Sequence, residues 1–361
     1  MRMPEPTHTT LKALDAAMEA SQRSEARAYL GMSQIGHPCS RNLYYSFRWA
    51  AKRRIEAKGL RAIEDGFAGE DVMATRLRMI HGIELHTADE FGQQFAVQEI
   101  SGHFRGHLDG AILGVLEAPK TWHVWEHKQV NLEKFKKLQK LIGELGEKAA
   151  LAKWDGIYFA QAQSYMGLTA MDRHFLTVGT PGGREYVTVR TEFDLVEFER
   201  IKARAASIVQ ATQPPARLSD DPSWFECKWC NFHGQCHGEQ VAEVNCRTCA
   251  HSTPRVDVPG GVWQCELEHV QLDDAMQRQG CNGHRFIPIL LERIGRQTDA
   301  VDEAGGNLAV TYTLPDGSTF TNGYPPAYSS AEIRASKHAS MLGDDQVKAV
   351  KAEFPQARVV A

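Results

Sequence analysis

Residues 103–130 read HFRGHLDGAILGVLEAPKTWHVWEHKQV, and this stretch decides the fold. Gly106 and Gly110 punctuate its first half, and 121–130 alternates apolar and polar residues, as a half-buried strand does. FAVQEI at 95–100 alternates just upstream, so three short strands with turn signals between them predict a meander. Residues two apart on a strand share a face, so Glu126 and Lys128 point one way and His127 the other. If the strands of this segment pair, Asp109 meets Glu126 at one end of the sheet.

Helical patterns flank these strands. Leu11, Leu14, Ala17 and Met18 suggest a short amphipathic helix. Residues 66–81 read as a helix with Phe67, Val72, Leu77 and Ile80 toward a core. A lysine-rich helix at 131–146 and another at 158–168 follow. Strands at 173–179 and 185–191 are split by Thr-Pro-Gly-Gly, and a helix at 194–210 stops before Pro214 and Pro215. This order predicts an α/β fold with a mixed central sheet flanked by helices. Residues 309–323 read as a hairpin turning at Pro315-Asp316-Gly317, and 331–353 as one or two helices. The expected domains are 1–240, a cysteine-rich metal module at 241–290, and a small α+β extension at 291–361.

At 361 residues, 42% apolar and 24% charged, the chain has enough material for a sizeable core. No apolar run reaches the ~20 residues of a membrane span, and the N-terminal stretch lacks a secretory pattern. A cytoplasmic protein is therefore expected. The net charge of −4, from 41 basic and 45 acidic residues, excludes a wholesale basic coat but not a local basic surface.

Two carboxylates beside a lysine suggest a particular chemistry. Neighbouring carboxylates repel, and burial adds a desolvation cost. A divalent cation relieves both, and Mg²⁺ favours one or two carboxylates with waters and phosphate oxygens. A lysine alongside can hold or deprotonate a water. These are the parts of a phosphodiester hydrolase.

Gly106-His-Leu-Asp109-Gly, then Glu126-x-Lys128, then Gln161-Ala-Gln-Ser-Tyr165, resembles the PD-(D/E)XK nucleases and their RecB-like exonuclease branch. Gly66-Phe-Ala-Gly-Glu70 resembles the early helix of that family. Leu108 stands where this branch often has proline. The resemblance implies a restriction-endonuclease-like core with Mg²⁺ or Mn²⁺ held by Asp109, Glu126, the His127 carbonyl and Glu70. It implies that Lys128 activates water, Gln161 positions Lys128 or the phosphate, and Tyr165 contacts the DNA backbone or buttresses the site. The implied activity is a DNA exonuclease of recombination or repair, including on phage genomes, acting with little sequence specificity and alongside a single-strand annealing or recombination protein. A structure-specific endonuclease, or a DNA-binding recombination or adaptation factor with a vestigial site, are the rival readings.

Of eight cysteines, seven fall within residues 227–281. In a reducing compartment such a cluster is expected to bind metal. Cys227, Cys230 and Cys236 supply three thiolates, and Cys39 is the one cysteine far upstream. One cysteine before the core and three after it resembles the iron-sulfur nucleases of this branch and implies a [4Fe-4S] cluster; four thiolates also suit zinc. Cys246, Cys249, Cys265 and Cys281 form a zinc pattern that would hold a segment too small for its own core. Lys134, Lys136, Lys137 and Lys140, and Arg41, Arg48, Lys52, Arg53 and Arg54 interleaved with Tyr44, Tyr45, Phe47 and Trp49, are the expected DNA-facing residues.

Overall fold

A computed structural model describes residues 8–22, 26–52, 54–302, 305–336 and 338–358. Its first part runs α1 (Thr9–Ser21), β1 (Leu30–Gly31), α2 (Ser40–Phe47), α3 (Ala57–Leu77), β2 (Glu84–His86), β3 (Ala96–Glu99), β4 (Phe104–His107), β5 (Gly110–Leu113) and β6 (His123–Gln129). Then come α4 (Leu132–Leu145), α5 (Glu147–Trp154), α6 (Gly156–Thr169), β7 (Arg173–Gly179), β8 (Tyr186–Glu192) and α7 (Leu195–Gln210).

The central sheet has the order β2-β5-β6-β7-β8. It is mixed: β6 and β7 are parallel and the other pairs antiparallel. A parallel pair needs a crossover, and α4, α5 and α6 provide it. The helices start where side chains replace missing backbone partners: Asn131 caps α4, Asp155 caps α6 and Asp194 caps α7. The expected mixed sheet between helices is therefore present.

The expected meander is not one sheet. The chain leaves β4 at His107 and enters β5 at Gly110, so the run 103–113 is broken at Leu108-Asp109. β3 and β4 join β1 in a separate three-stranded sheet. The break places Asp109 at the seam between the two sheets. The alternation showed strands, but pairing partners are a tertiary choice that alternation does not encode.

α3 covers one face of the central sheet with Met73, Ala74 and Leu77, against Leu85, Ile112, Trp125 and Phe175. The expected face was wrong apart from Leu77: Phe67 is 66% exposed, and Val72 and Ile80 are also exposed. Gly69 explains the choice. A Cβ there would lie 2.5 Å from the Gln129 side chain, so only glycine lets α3 come this close to the end of β6. α6 and α7 bury the other face through Ala162, Met166, Ile201 and Ala205.

The cysteine-rich segment contains α8 (Phe225–Lys228), α9 (His233–Cys236), β9 (Ser252–Pro254), β10 (Trp263–Cys265), β11 (Val270–Leu272) and α10 (Asp274–Gln279). The antiparallel sheet β12 (Arg296–Asp302), β13 (Leu308–Thr313) and β14 (Thr319–Asn322) follows, closing with three short helices from Ser330 to Glu353. The hairpin with its turn at Gly317 is as expected. β12 was missed, since all its residues are exposed and show no apolar alternation.

One buried cluster runs from Leu30 through Trp263 and Phe286 to Leu342. Arg247, 1% exposed, pins this junction. Its guanidinium sits 3.8 Å from the Trp49 ring and 4.6 Å from that of Trp263, and donates to Gln277 Oε1 and the carbonyls of Phe47 and Ala28. Among the described residues, no helix is long and apolar enough to cross a membrane.

Candidate active site

The β5–β6 register sets the site. Gly110 faces Trp125, so Asp109, one residue earlier, lies across from Glu126. The Asp109 N–H points at Glu126 Oε1 at 3.4 Å, and the His127 N–H donates to Asp109 Oδ2 at 2.8 Å. Lys128 Nζ reaches Glu126 Oε2 at 2.6 Å and Asp109 Oδ2 at 3.5 Å. The period of two holds: the His127 ring turns to the opposite face, where Nδ1 lies 2.9 Å from Thr177 Oγ1.

α6 closes the site from above. Gln161 Nε2 donates to Glu126 Oε2 (3.1 Å) and lies 3.2 Å from Tyr165 Oη, which donates to the His107 carbonyl (2.8 Å). Tyr165 thus ties the turn that carries Asp109 to the helix that carries Gln161. Gly106 makes room for it, since a Cβ there would sit 2.3 Å from Tyr165 Cε1. α3 brings Glu70, on the residue after Gly69, into electrostatic range of Asp109 and Lys128.

The electrostatics are those of an acidic cluster short of positive charge. Burial, then Asp109, pushes Glu126 up to about 8. Burial, then Asp109, pushes Glu70 up to about 7. Burial works against the charge of Lys128, but Asp109 and Glu126 outweigh it and hold the ammonium above the ordinary lysine range. In this arrangement the Lys128 ammonium donates to Glu126 Oε2. Burial, followed by Lys128, lowers His127 to about 4, so its ring is neutral.

Among the described residues, no group of three or more His, Cys, Asp or Glu side chains is arranged as around a metal ion. At the acidic cluster, Lys128 bridges the carboxylates instead. The donor chemistry still fits a hard divalent cation: carboxylates from Glu70, Asp109 and Glu126, two of them raised in pKa for want of compensating charge.

The cysteines gather in two places. Cys39, Cys227, Cys230 and Cys236 line one small cavity of about 20 Å³ with His37, His233 and His237. Asn42 serves two of the thiols, its backbone N–H toward Cys39 Sγ (3.4 Å) and its Nδ2 toward Cys230 Sγ (3.1 Å). Burial, then Cys236, Cys39 and Cys230, raises Cys227. Burial, followed by Cys249, Cys281 and Cys265, raises Cys246 to about 12. Crowded thiols with amide donors to sulfur fit a thiolate-bound metal, which lifts the penalty on the charged form.

Neither a protein-family model nor a curated protein matches this sequence. Among solved structures, the chain is similar to an alkaline exonuclease (LHK-Exo) from Laribacter hongkongensis, with 14% identity and a TM-score of 0.36 over 55% of this chain and 90% of that one. It is also similar to a phage-related exonuclease from Haemophilus somnus 129PT, with 13% identity and a TM-score of 0.35 over 50% of this chain and 91% of that one.

The aromatics of the run near Cys39, with Arg41 and Arg48, are buried rather than offered to a ligand. Tyr44, Tyr45, Phe47 and Trp49 are at most 5% exposed. Arg41 donates to the Pro215 carbonyl, and Arg48 donates to the carbonyls of Arg247, Ser252 and Ala211. α2 is wrapped by the cysteine-rich segment, and these side chains form that junction. Lys52 and Arg54 remain exposed, and Arg53 lies outside the described residues. Lys134 bonds Asp155 and stacks on Tyr158 at 4.5 Å, whereas Lys136, Lys137 and Lys140 face solvent. Sequence reading missed the exposed rings of Trp224, Phe225 and Trp229. Their spacing beside Cys227 and Cys230 is visible in the sequence, but nothing local says that the rings face outward.

Proposed function

We propose that this protein is a Mg²⁺- or Mn²⁺-dependent deoxyribonuclease that hydrolyses phosphodiester bonds from DNA ends. The observation that carries the reading is the convergence of Asp109, Glu126 and Lys128 at a buried sheet end under Gln161 and Tyr165. Glu70, Asp109, Glu126 and the His127 carbonyl would hold the cation, which would offset charge on the phosphate and lower the pKa of a bound water. Gln161 orients the Glu126 carboxylate. Tyr165 fixes the turn at Leu108-Asp109 and so the direction of the Asp109 carboxylate. Lys128, protonated as it stands, can donate to a phosphate oxygen or to the attacking water.

Linear and closed-circular plasmid DNA, each incubated with the protein in Mg²⁺ and in Mn²⁺, test this. Loss of the linear form alone is expected. Cutting of the circle would point to an endonuclease, and an inert protein in both metals would overturn the reading.

The reading includes two thiolate centres, Cys39 with Cys227, Cys230 and Cys236, and Cys246 with Cys249, Cys265 and Cys281. The first would staple the two ends of the catalytic region as a [4Fe-4S] cluster or zinc, and the second would hold zinc. Anaerobic absorption with iron and zinc quantified per chain distinguishes these assignments.

A further inference from the structure

A groove of about 650 Å³ lies between the chain around Ser33, α2 and the cysteine loop. One wall carries Phe225 and Trp229, each 73% exposed. They are four residues apart, one turn of helix, so their side chains fall on the same side. Cys227, between them, is buried and anchors the turn inward. The inward cysteine is what turns two large rings outward. Lys228 lies with its ammonium 5.4 Å from the Trp229 ring.

The rest of the lining is mixed, with Ala26, Leu43, Ala51 and Ile55 beside polar and cationic side chains. Arg27 and Lys52, both exposed, are part of it, and Glu226 is the one acid among the described residues that line the groove. Side-chain amides come from Gln22, Gln34, Asn42 and Asn231. Ile157, on the first turn of α6, also lines the groove. The next residue, Tyr158, has its ring 5.8 Å from Lys128 Nζ. The groove thus borders the turn of α6 whose next residue packs beside Lys128.

Exposed rings and cations lining one groove suit a polyanion with free ring faces of its own. A duplex keeps its base faces stacked on one another and has none to offer. A single strand does, and stacking on aromatic side chains with phosphates on flanking cations is how such strands are held without sequence preference. We infer that this groove binds single-stranded DNA, with bases stacked on Phe225 and Trp229 and phosphates on Arg27 and Lys52. The inference deepens the proposed nuclease function by naming the form of DNA that lies beside its site.

Binding of a labelled 20-nucleotide oligothymidylate and of a 20-base-pair blunt duplex in EDTA tests it, with full-length wild type, Phe225→Ala, Trp229→Ala and Lys52→Glu. Both rings are exposed, so the variants should keep the wild-type Tm. Each ring variant is expected to weaken single-strand binding about tenfold while leaving duplex binding unchanged, and Lys52→Glu to flatten its salt dependence. Hydrolysis of thymidine 5′-p-nitrophenyl phosphate in Mn²⁺ should not change in any of them. Unchanged single-strand affinity in both ring variants would overturn the groove, as would an equal loss on duplex. A wild type that fails to cleave the chromogenic ester but loses single-strand binding on ring removal would leave the groove standing and remove the nuclease reading instead.

Discussion

In metal-free protein, Glu126→Gln is expected to stabilise the fold, and to do so more strongly as pH rises. Glu126 is 1% exposed, and burial followed by Asp109 raises its carboxyl from 4.5 to about 8. The unfolded chain releases this proton near its ordinary value, whereas the folded chain keeps it until about 8. The folded state therefore binds more protons across that window and loses stability as pH climbs through it. Each pH unit crossed is worth at most about 1.4 kcal/mol. Glutamine removes the ionisation, and its oxygen still accepts from Lys128 and Gln161, though the neutral bond to Lys128 is weaker. The net gain expected at pH 8 is roughly 1–3 kcal/mol, a few degrees in Tm, falling toward zero near pH 4.5. Differential scanning calorimetry of both proteins in EDTA from pH 5 to 8.5 measures it. Buried neutral histidines act oppositely: burial depresses His103 to about 4, and its stabilisation, complete above 6.5, is lost as pH falls toward that value. That contribution is common to both proteins and cancels in the difference. A variant less stable than wild type at pH 8, or a difference flat with pH, would refute the electrostatic argument.

Tyr165→Phe removes a buried hydroxyl that accepts from Gln161 and donates to the His107 carbonyl, so a loss of about 1–3 kcal/mol in chemical denaturation is expected together with reduced hydrolysis. Cys39→Ala should yield colourless protein with less iron or zinc per chain and a lower Tm, read by absorption and metal analysis; full metal content would remove Cys39 from the first centre. Trp263→Ala empties a fully buried site between Phe47 and Arg247, and should cost about 3–5 kcal/mol in one cooperative transition that includes the catalytic region; a separate early transition would mean that the cysteine-rich segment folds on its own.

The parts of this protein legible in sequence were those written in local periodicity. The strand at 123–129, the hairpin at 173–192 and the helix at 195–210 follow from spacing and turn residues, and once β5 and β6 pair Asp109 falls opposite Glu126. What stayed hidden was which surface each apolar side chain would meet. Tyr44, Phe47 and Trp49 alternate with arginines as a nucleic-acid surface would, yet a segment 200 residues away covers them. Phe67 and Val72 look like a core face, but Gly69 admits the sheet on a different side of the same helix. Leu108-Asp109 interrupts a run that reads as one strand, and the Asp109 carboxylate there accepts from the His127 N–H of β6. Phe225 and Trp229 stay exposed because Cys227, between them, turns inward.

The central claim is that Asp109 and Glu126, with Lys128 beside them, form a cation-dependent hydrolytic site. Degradation of an end-labelled linear duplex in Mn²⁺ by wild type and by Asp109→Asn, with DNA binding measured for both in EDTA, tests it most directly. Wild type should release nucleotides, and Asp109→Asn should bind DNA as well yet release none. Equal hydrolysis by the two proteins would contradict the claim.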